Sequence, residues 1–228
     1  MPTQNNYTPH LPTDYDAQVR RTIPYYDSMH TETIDLVRSL KEEPDVWLDT
    51  GCGTGTMIWN ALRYFPNTRF MLADPSETML DQARMKFVNV ERVRFIGPVS
   101  TQGLITEIDE RPDVITAVQC HHYLSRDQRE RAVKVCFDLL NSDGAFVTFE
   151  NVRPLTAYGI EIGKKSLGRF QLENGRAPAE IEQQLARFDR DYFPITIEEH
   201  LSLLRRTGFK VVEPFWYSYL QAGFYCIK

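Results

Sequence analysis

Val46-Trp47-Leu48-Asp49-Thr50-Gly51-Cys52-Gly53-Thr54-Gly55-Thr56 is the stretch on which the fold turns. An apolar run ends in an acid, three glycines follow at alternate positions, and a helix-like segment begins at Thr56. That order describes a strand, a tight loop and a helix. The glycines suit the loop because its backbone needs angles that a side chain forbids, and because something must approach the main chain closely. The spacing is Asp-x-Gly-x-Gly-x-Gly with the acid first, which departs from the Gly-x-Gly-x-x-Gly of dinucleotide-binding loops.

Strand-like runs at 46–49, 69–73, 93–96, 114–118 and 145–149 alternate with helix-like segments at 56–64, 76–88, 101–108 and 126–140. The last helix is the clearest. Ala132, Val133, Val135, Cys136, Leu139 and Leu140 recur at helical spacing, and Asn141-Ser142-Asp143-Gly144 stops it with turn chemistry. Such alternation predicts βαβ units and a mostly parallel α/β sheet with helices on both faces. Ligands of these sheets sit outside the carboxyl ends of the strands, where the glycine loop falls.

Two regions lie outside the alternation. Residues 13–40 read as helical with a break at Pro24. Residues 152–194 hold helical stretches at about 160–171 and 179–190 around a turn at Glu173-Asn174-Gly175-Arg176, and are expected to form an insertion that encloses substrate. The chain closes with a helix at 196–206, a stop at Gly208, and strands at 210–213 and 217–227 joined by a turn at Pro214, an antiparallel pair at one sheet edge.

Bulk properties narrow the function. The chain has 228 residues, 42% of them hydrophobic, enough for one domain spanning 13–228 behind a polar arm at 1–12 read as flexible. No apolar run approaches the roughly eighteen residues of a membrane span. The net charge of −5 does not favour nucleic acid, although Lys164, Lys165, Arg169, Arg205 and Arg206 leave a local basic path open. Cys52, Cys120, Cys136 and Cys226 form no Cys-x-x-Cys pair, so no metal site is expected and reduced thiols of a cytoplasmic protein are the plain reading. Small molecules are the expected partners; a homodimer is an open alternative to a monomer.

The glycine motif resembles the first motif of class I S-adenosylmethionine (SAM)-dependent methyltransferases, and the resemblance covers 45–150 with three motifs in order. It implies a Rossmann-like, seven-stranded sheet with N-terminal helices and a helical insertion after strand 5. It implies SAM as cofactor and S-adenosylhomocysteine as product. Asp49 would anchor the cofactor's amino group, and Gly51, Cys52, Gly53 and Gly55 would let the backbone pass beneath it. Asp74, ending the second strand before Pro75, would take both ribose hydroxyls, with Met79 as an apolar wall. Where the family often places an acid for the adenine, this chain has Pro98, which leaves the Val99 amide and the Ser100 hydroxyl. Gln119 would line the methionine moiety. His121, His122 and Glu150, with Tyr123, are the candidates for a general base. Aromatic residues such as Tyr26, Phe188, Tyr192 and Trp216 would rim the acceptor pocket.

A narrower resemblance joins Arg21-Thr22-Ile23-Pro24-Tyr25-Tyr26, the insertion and the tail from Phe215 to the enzyme that makes carboxy-SAM and its methyltransferase-fold relatives. There a tyrosine of the N-terminal helix touches the cofactor, which maps onto Tyr26. The arginine for the extra carboxylate maps onto Leu185, with Arg187 two residues on. Leucine cannot pair a carboxylate, so ordinary SAM is the expected cofactor. The expected activity is in-line methyl transfer to a small-molecule acceptor. The alternatives are a carboxy-SAM synthase-like or tRNA-modifying enzyme, a non-catalytic SAM-binding protein and a nicotinamide oxidoreductase.

Overall fold

The computed structural model describes residue 8 and residues 10–228; most of the arm at 1–12 lies outside the described residues. Its described part is seated on the body: His10 Nε2 lies 3.0 Å from Thr22 Oγ1.

Among the described residues seven strands form one sheet: β1 (Val46–Thr50), β2 (Arg69–Ala73), β3 (Val93–Ile96), β4 (Val114–Val118), β5 (Ala145–Asn151), β6 (Val211–Ser218) and β7 (Gln221–Ile227). Their order is β3-β2-β1-β4-β5-β7-β6. β7 pairs antiparallel with both β5 and β6, while β1 to β5 pair parallel. The chain therefore runs outward from β1 to β3 and returns to β4, so the switch in strand order lies between β1 and β4.

Side-chain alternation along β1 sends Trp47 into one core layer and Val46 and Leu48 into the other. Trp47 packs beside α2 (Tyr26–Leu40), α3 (Thr56–Ala61) and α4 (Glu77–Lys86) through Ile34, Ile58 and Leu80. Leu48 shares a core with α5 (Arg126–Leu139) and α8 (Ile197–Thr207) through Val133, Leu203 and Leu204. Both of those helices start in capping boxes, Ser125 with Gln128 and Thr196 with Glu199.

Helix α1 (Tyr15–Thr22) packs with α6 (Ala157–Glu173), which in turn packs with α7 (Pro178–Leu185). Arg21 donates to the carbonyls of Asn174 and Gly175, and Gln171 Nε2 donates to the Thr22 carbonyl at 3.0 Å. The insertion is thereby tied to the N-terminal helix.

Three expectations shift. Pro214 lies inside β6, opposite Phe224, and the reversal falls after Ser218; an edge strand tolerates proline where a central one does not. The segment at 101–108 is a 3₁₀ helix, Thr101–Thr106, shortened where Gly103 weakens helical preference. Helix α7 stops at Leu185 rather than 190, before Asp189 takes a left-handed φ of 65° and a bridge pairs Phe188 with Tyr192.

Candidate functional site

The glycine loop leaves β1 with three left-handed residues, φ 64° at Gly51, 54° at Gly53 and 77° at Gly55. A Cβ at Gly51 would stand 2.5 Å from Cys120 Cβ, so the loop is wedged against the end of β4. A Cβ at Gly53 would meet nothing within 4 Å. The space over Gly53 is open, as a cradle for a ligand requires.

That space is a cavity of about 410 Å³ at the carboxyl edge of the sheet. Tyr26, Asp49, Gly51, Cys52 and Gly53 line it, as do Asp74, Pro75, Met79, Ser100 and Gln119. Two expected cofactor residues stand back. Gly55 packs against Phe87, and the Val99 N–H is taken by the Asp74 carbonyl at 3.1 Å. Of the expected acid–base residues, His121 borders this cavity and His122 borders a smaller one of about 40 Å³, while Glu150 lines neither.

The cavity also takes in Tyr15, Thr101 and Gln102, which the sequence reading passed over. Among the described residues Gln102 Oε1 is buried without a hydrogen-bond partner. It lies two residues beyond Ser100, in the segment already marked for adenine recognition, and only the 3₁₀ turn brings it round. Of the expected aromatic rim, Tyr26 borders the larger cavity and Tyr192 the smaller. Trp216 packs edge-on against Phe149 in the core, and Phe188 against Tyr192.

The two acids differ in their partners. Asp74 is spanned by the backbone, Oδ2 accepting from the Gly53 N–H at 2.9 Å and Oδ1 from the Ser76 N–H at 2.8 Å. Burial raises its pKa while those two bonds hold it down. Asp49 is 2% exposed, and its Oδ1 accepts from Thr116 Oγ1 at 2.6 Å. Burial pushes its pKa up to about 7, against the Thr116 bond and with help from the charge of Asp74. A cation placed beside Asp49 would restore its ionised form.

Helix α1 is clamped to the same loop. Asp16 Oδ1 accepts from Thr54 Oγ1 at 2.6 Å and Thr56 Oγ1 at 3.0 Å, and Lys86 Nζ lies 2.9 Å from Oδ2. Tyr15 and Tyr26 are joined through their hydroxyls beside the cavity.

Beyond β4, Gln119 adopts a left-handed φ of 56° and turns the chain into the short 3₁₀ helix His121–Tyr123. Two buried charges hold that turn. Arg129 donates to the carbonyls of His121, Leu124 and Phe193 at 3.1, 3.4 and 2.5 Å. Glu150 accepts from the backbone N–H groups of His121 and His122 at 3.2 and 2.7 Å. His121 Nε2 lies 3.1 Å from Thr101 Oγ1, and burial lowers its pKa to about 4, which leaves the ring neutral at pH 7.

Leu185 packs against Gly168. Arg187, 8% exposed, lies near Asp191 with Nε 3.0 Å from Oδ2 and is hydrogen-bonded to Tyr123, a residue of both cavities. The basic residues that left a nucleic-acid path open sit on separate helices, and Lys165 and Arg206 are paired with Glu161 and Glu130. Among the described residues no helix is long and apolar enough to cross a membrane.

Residues 48–146 match the family described as the methyltransferase domain. The carboxy-S-adenosyl-L-methionine synthase of Trichodesmium erythraeum is 24% identical over 200 residues, which cover 87% of this chain and 79% of that one. The same enzyme from Methylococcus capsulatus is 25% identical over 215 residues, covering 91% and 88%. Among solved structures, an O-methyltransferase-like protein of Nostoc punctiforme superposes with a TM-score of 0.69 at 14% identity, covering 95% of this chain. The chain spans only 59% of that protein's length. The likeness to the solved structure is one of fold. Residues 48–146 are thus similar to a methyltransferase domain, and the chain resembles the carboxy-S-adenosyl-L-methionine synthases over most of its length.

Proposed function

We propose that the chain moves the methyl group of SAM to a small-molecule acceptor. The observation that carries this reading is the larger cavity, open over Gly53 and bordered by two buried carboxylates at the switch in strand order. Asp74 would accept from the ribose hydroxyls, and Asp49 would pair with the ammonium group. Gln102 Oε1, buried without a partner, would take the adenine amino group in place of the missing acid. Tyr26 and Met79 would supply wall surface.

SAM brings an electrophilic methyl group on a sulfonium, so the chain mainly orients the reactants and keeps water out. His121, neutral and at the cavity, would accept a proton from an acceptor that arrives protonated. His122 and Glu150 would shape the turn rather than touch the reacting atoms. All four cysteines are free thiols, which supports a reducing, cytoplasmic setting.

A second reading, carboxy-SAM as ligand, is supported by the buried Arg187 guanidinium behind Tyr123. Native mass spectrometry of the freshly purified protein, followed by denaturation, separates the two. Bound SAM or S-adenosylhomocysteine supports methyl transfer, and carboxy-SAM selects the second reading. A nicotinamide nucleotide overturns both, and the intact mass reads whether the protein is a homodimer.

A further inference from the structure

The smaller cavity adjoins the larger and shares Tyr15, Gln119 and Tyr123 with it. Beneath it runs a chain of hydrogen bonds whose polarity is fixed from one end. Glu150 Oε2 lies 2.9 Å from His122 Nδ1. An ionised carboxylate can only accept, and it stands closer than the Asn151 backbone N–H, which is 3.4 Å from the same nitrogen, so Nδ1 carries the ring proton and Nε2 is an acceptor. Asn151 Nδ2 lies 3.0 Å from that Nε2 and therefore donates to it. The orientation of the Asn151 amide follows. Its Nδ2 faces Gln119 Oε1 at 3.4 Å, and its Oδ1 accepts from Gln221 Nε2 at 3.1 Å.

Two atoms are left over. Among the described residues, Gln119 Nε2 and Gln221 Oε1 are buried without a hydrogen-bond partner, in side chains 7% and 1% exposed. Both residues line the smaller cavity. Neither amide can be reversed to pair its free end without breaking the order set by Glu150. Buried donors and acceptors are satisfied in the great majority of cases, so a free donor and a free acceptor at one cavity call for a ligand. Among the described residues that line it there is no Asp, Glu, Lys or Arg. Its volume of about 40 Å³ exceeds the ~10–15 Å³ that one water needs.

We propose that the smaller cavity is the methyl-acceptor site, and that it takes a small uncharged molecule offering an oxygen to Gln119 Nε2 and a hydroxyl or amine hydrogen to Gln221 Oε1. This rests on the methyl-transfer reading. The acceptor's oxygen or nitrogen bonds to the methyl carbon as the carbon–sulfur bond breaks. Sulfur keeps that electron pair, and the released proton leaves to water. Gln221 holds the nucleophile by its hydrogen and leaves its lone pair free.

The test uses the protein loaded with S-adenosylhomocysteine and two isosteric probes, hydroxyacetone and butan-2-one, which differ by a hydroxyl in place of a methyl group. Side-chain amide signals of Gln119 and Gln221 are followed by nitrogen-15 NMR. Hydroxyacetone is expected to shift both signals and to bind about tenfold tighter than butan-2-one, the effect of one hydrogen bond to a group otherwise left unpaired. Gln221→Met should remove that preference while S-adenosylhomocysteine still binds; should the variant not fold, the comparison of probes on the native protein decides alone. Equal binding of the two probes, or no shift of either amide, overturns the proposal while leaving methyl transfer standing. A protein that takes up no S-adenosylhomocysteine removes the reading beneath it.

Discussion

Glu150 and His122 form a buried pair in which the carboxylate Oε2 lies 2.9 Å from the imidazole Nδ1. Burial opposes the charge on Glu150, but the His122 hydrogen bond and its neighbours bring its pKa down to about 2. The backbone N–H groups of His121 and His122, and the Thr148 hydroxyl at 2.8 Å, also donate to it. One side chain on β5 thus shapes the end of β4. Glu150→Gln would turn an N–H₂ toward donors, leaving buried groups unpaired at a cost of about 2–4 kcal/mol. The melting temperature should drop by several degrees, and nitrogen-15 NMR should show His122 losing its Nδ1–H tautomer. An unchanged tautomer would show that Glu150 does not set it.

Acid should destabilise the protein well before the carboxylates of ordinary pKa titrate. Burial lowers the pKa of His30, His121 and His200 to about 4 in each case. Their ordinary value is 6.5, so between pH 6.5 and 4 the unfolded chain binds protons that the folded one refuses, and stability falls as pH falls. Asp49 works in the opposite direction: its pKa is raised to about 7 from 3.8, so the fold holds a proton there and gains stability as pH drops. Burial raises Asp74 in the same sense as Asp49, but it also lowers His10 to about 4 and lowers His122, so the histidines outweigh the two acids. By pH 5 each of the first three imidazoles costs about 2 kcal/mol, and Asp49 returns little more than one of them does. Melting curves at pH 7 and pH 5 should show the lower temperature at pH 5; a rise would mean these histidines are not buried neutral.

The same Asp49 makes cofactor binding depend on pH. If its carboxylate pairs with the ammonium group of SAM, the proton held at a pKa of about 7 must leave on binding. Affinity should fall below pH 7, by up to about tenfold per pH unit, and level off above it. Calorimetry in two buffers of different ionisation enthalpy would also detect the released proton. Affinity that stays flat between pH 6 and 8 would place the ammonium group elsewhere.

Much of this was legible in the sequence because it rests on local chemistry. Strands at 69–73, 93–96 and 114–118 coincide with β2, β3 and β4. Of these, β2 and β4 are almost wholly buried parallel strands and read as largely apolar runs, while the edge strand β3 keeps Val93, Phe95 and Ile96 around an exposed Arg94. Asp49 and Asp74 were visible as acids that end such runs. The hidden parts depend on contacts between distant segments. Gln221 sits on the last strand, and only the antiparallel pairing of β7 with β5 brings it opposite Asn151. Gln102 carries no motif of its own, and only a 3₁₀ turn brings it to the cavity. Pro214 read as a turn because proline usually interrupts strands, and only its place on an edge admits it.

Two glycines of one loop should respond differently to the same substitution. Gly51→Ala sets a Cβ 2.5 Å from Cys120 Cβ, between two fixed elements, so the loop or β4 must move and the fold should lose stability markedly. Gly53→Ala meets no atom within 4 Å and carries only the strain of a φ of 54°, about 1–2 kcal/mol. Its methyl group enters the open space in which the cofactor is placed. Gly53→Ala should therefore fold, with a melting temperature a few degrees lower, and bind S-adenosylhomocysteine at least about tenfold more weakly. Calorimetry on the folded variant decides this: undiminished affinity would mean that the ligand does not pass over Gly53.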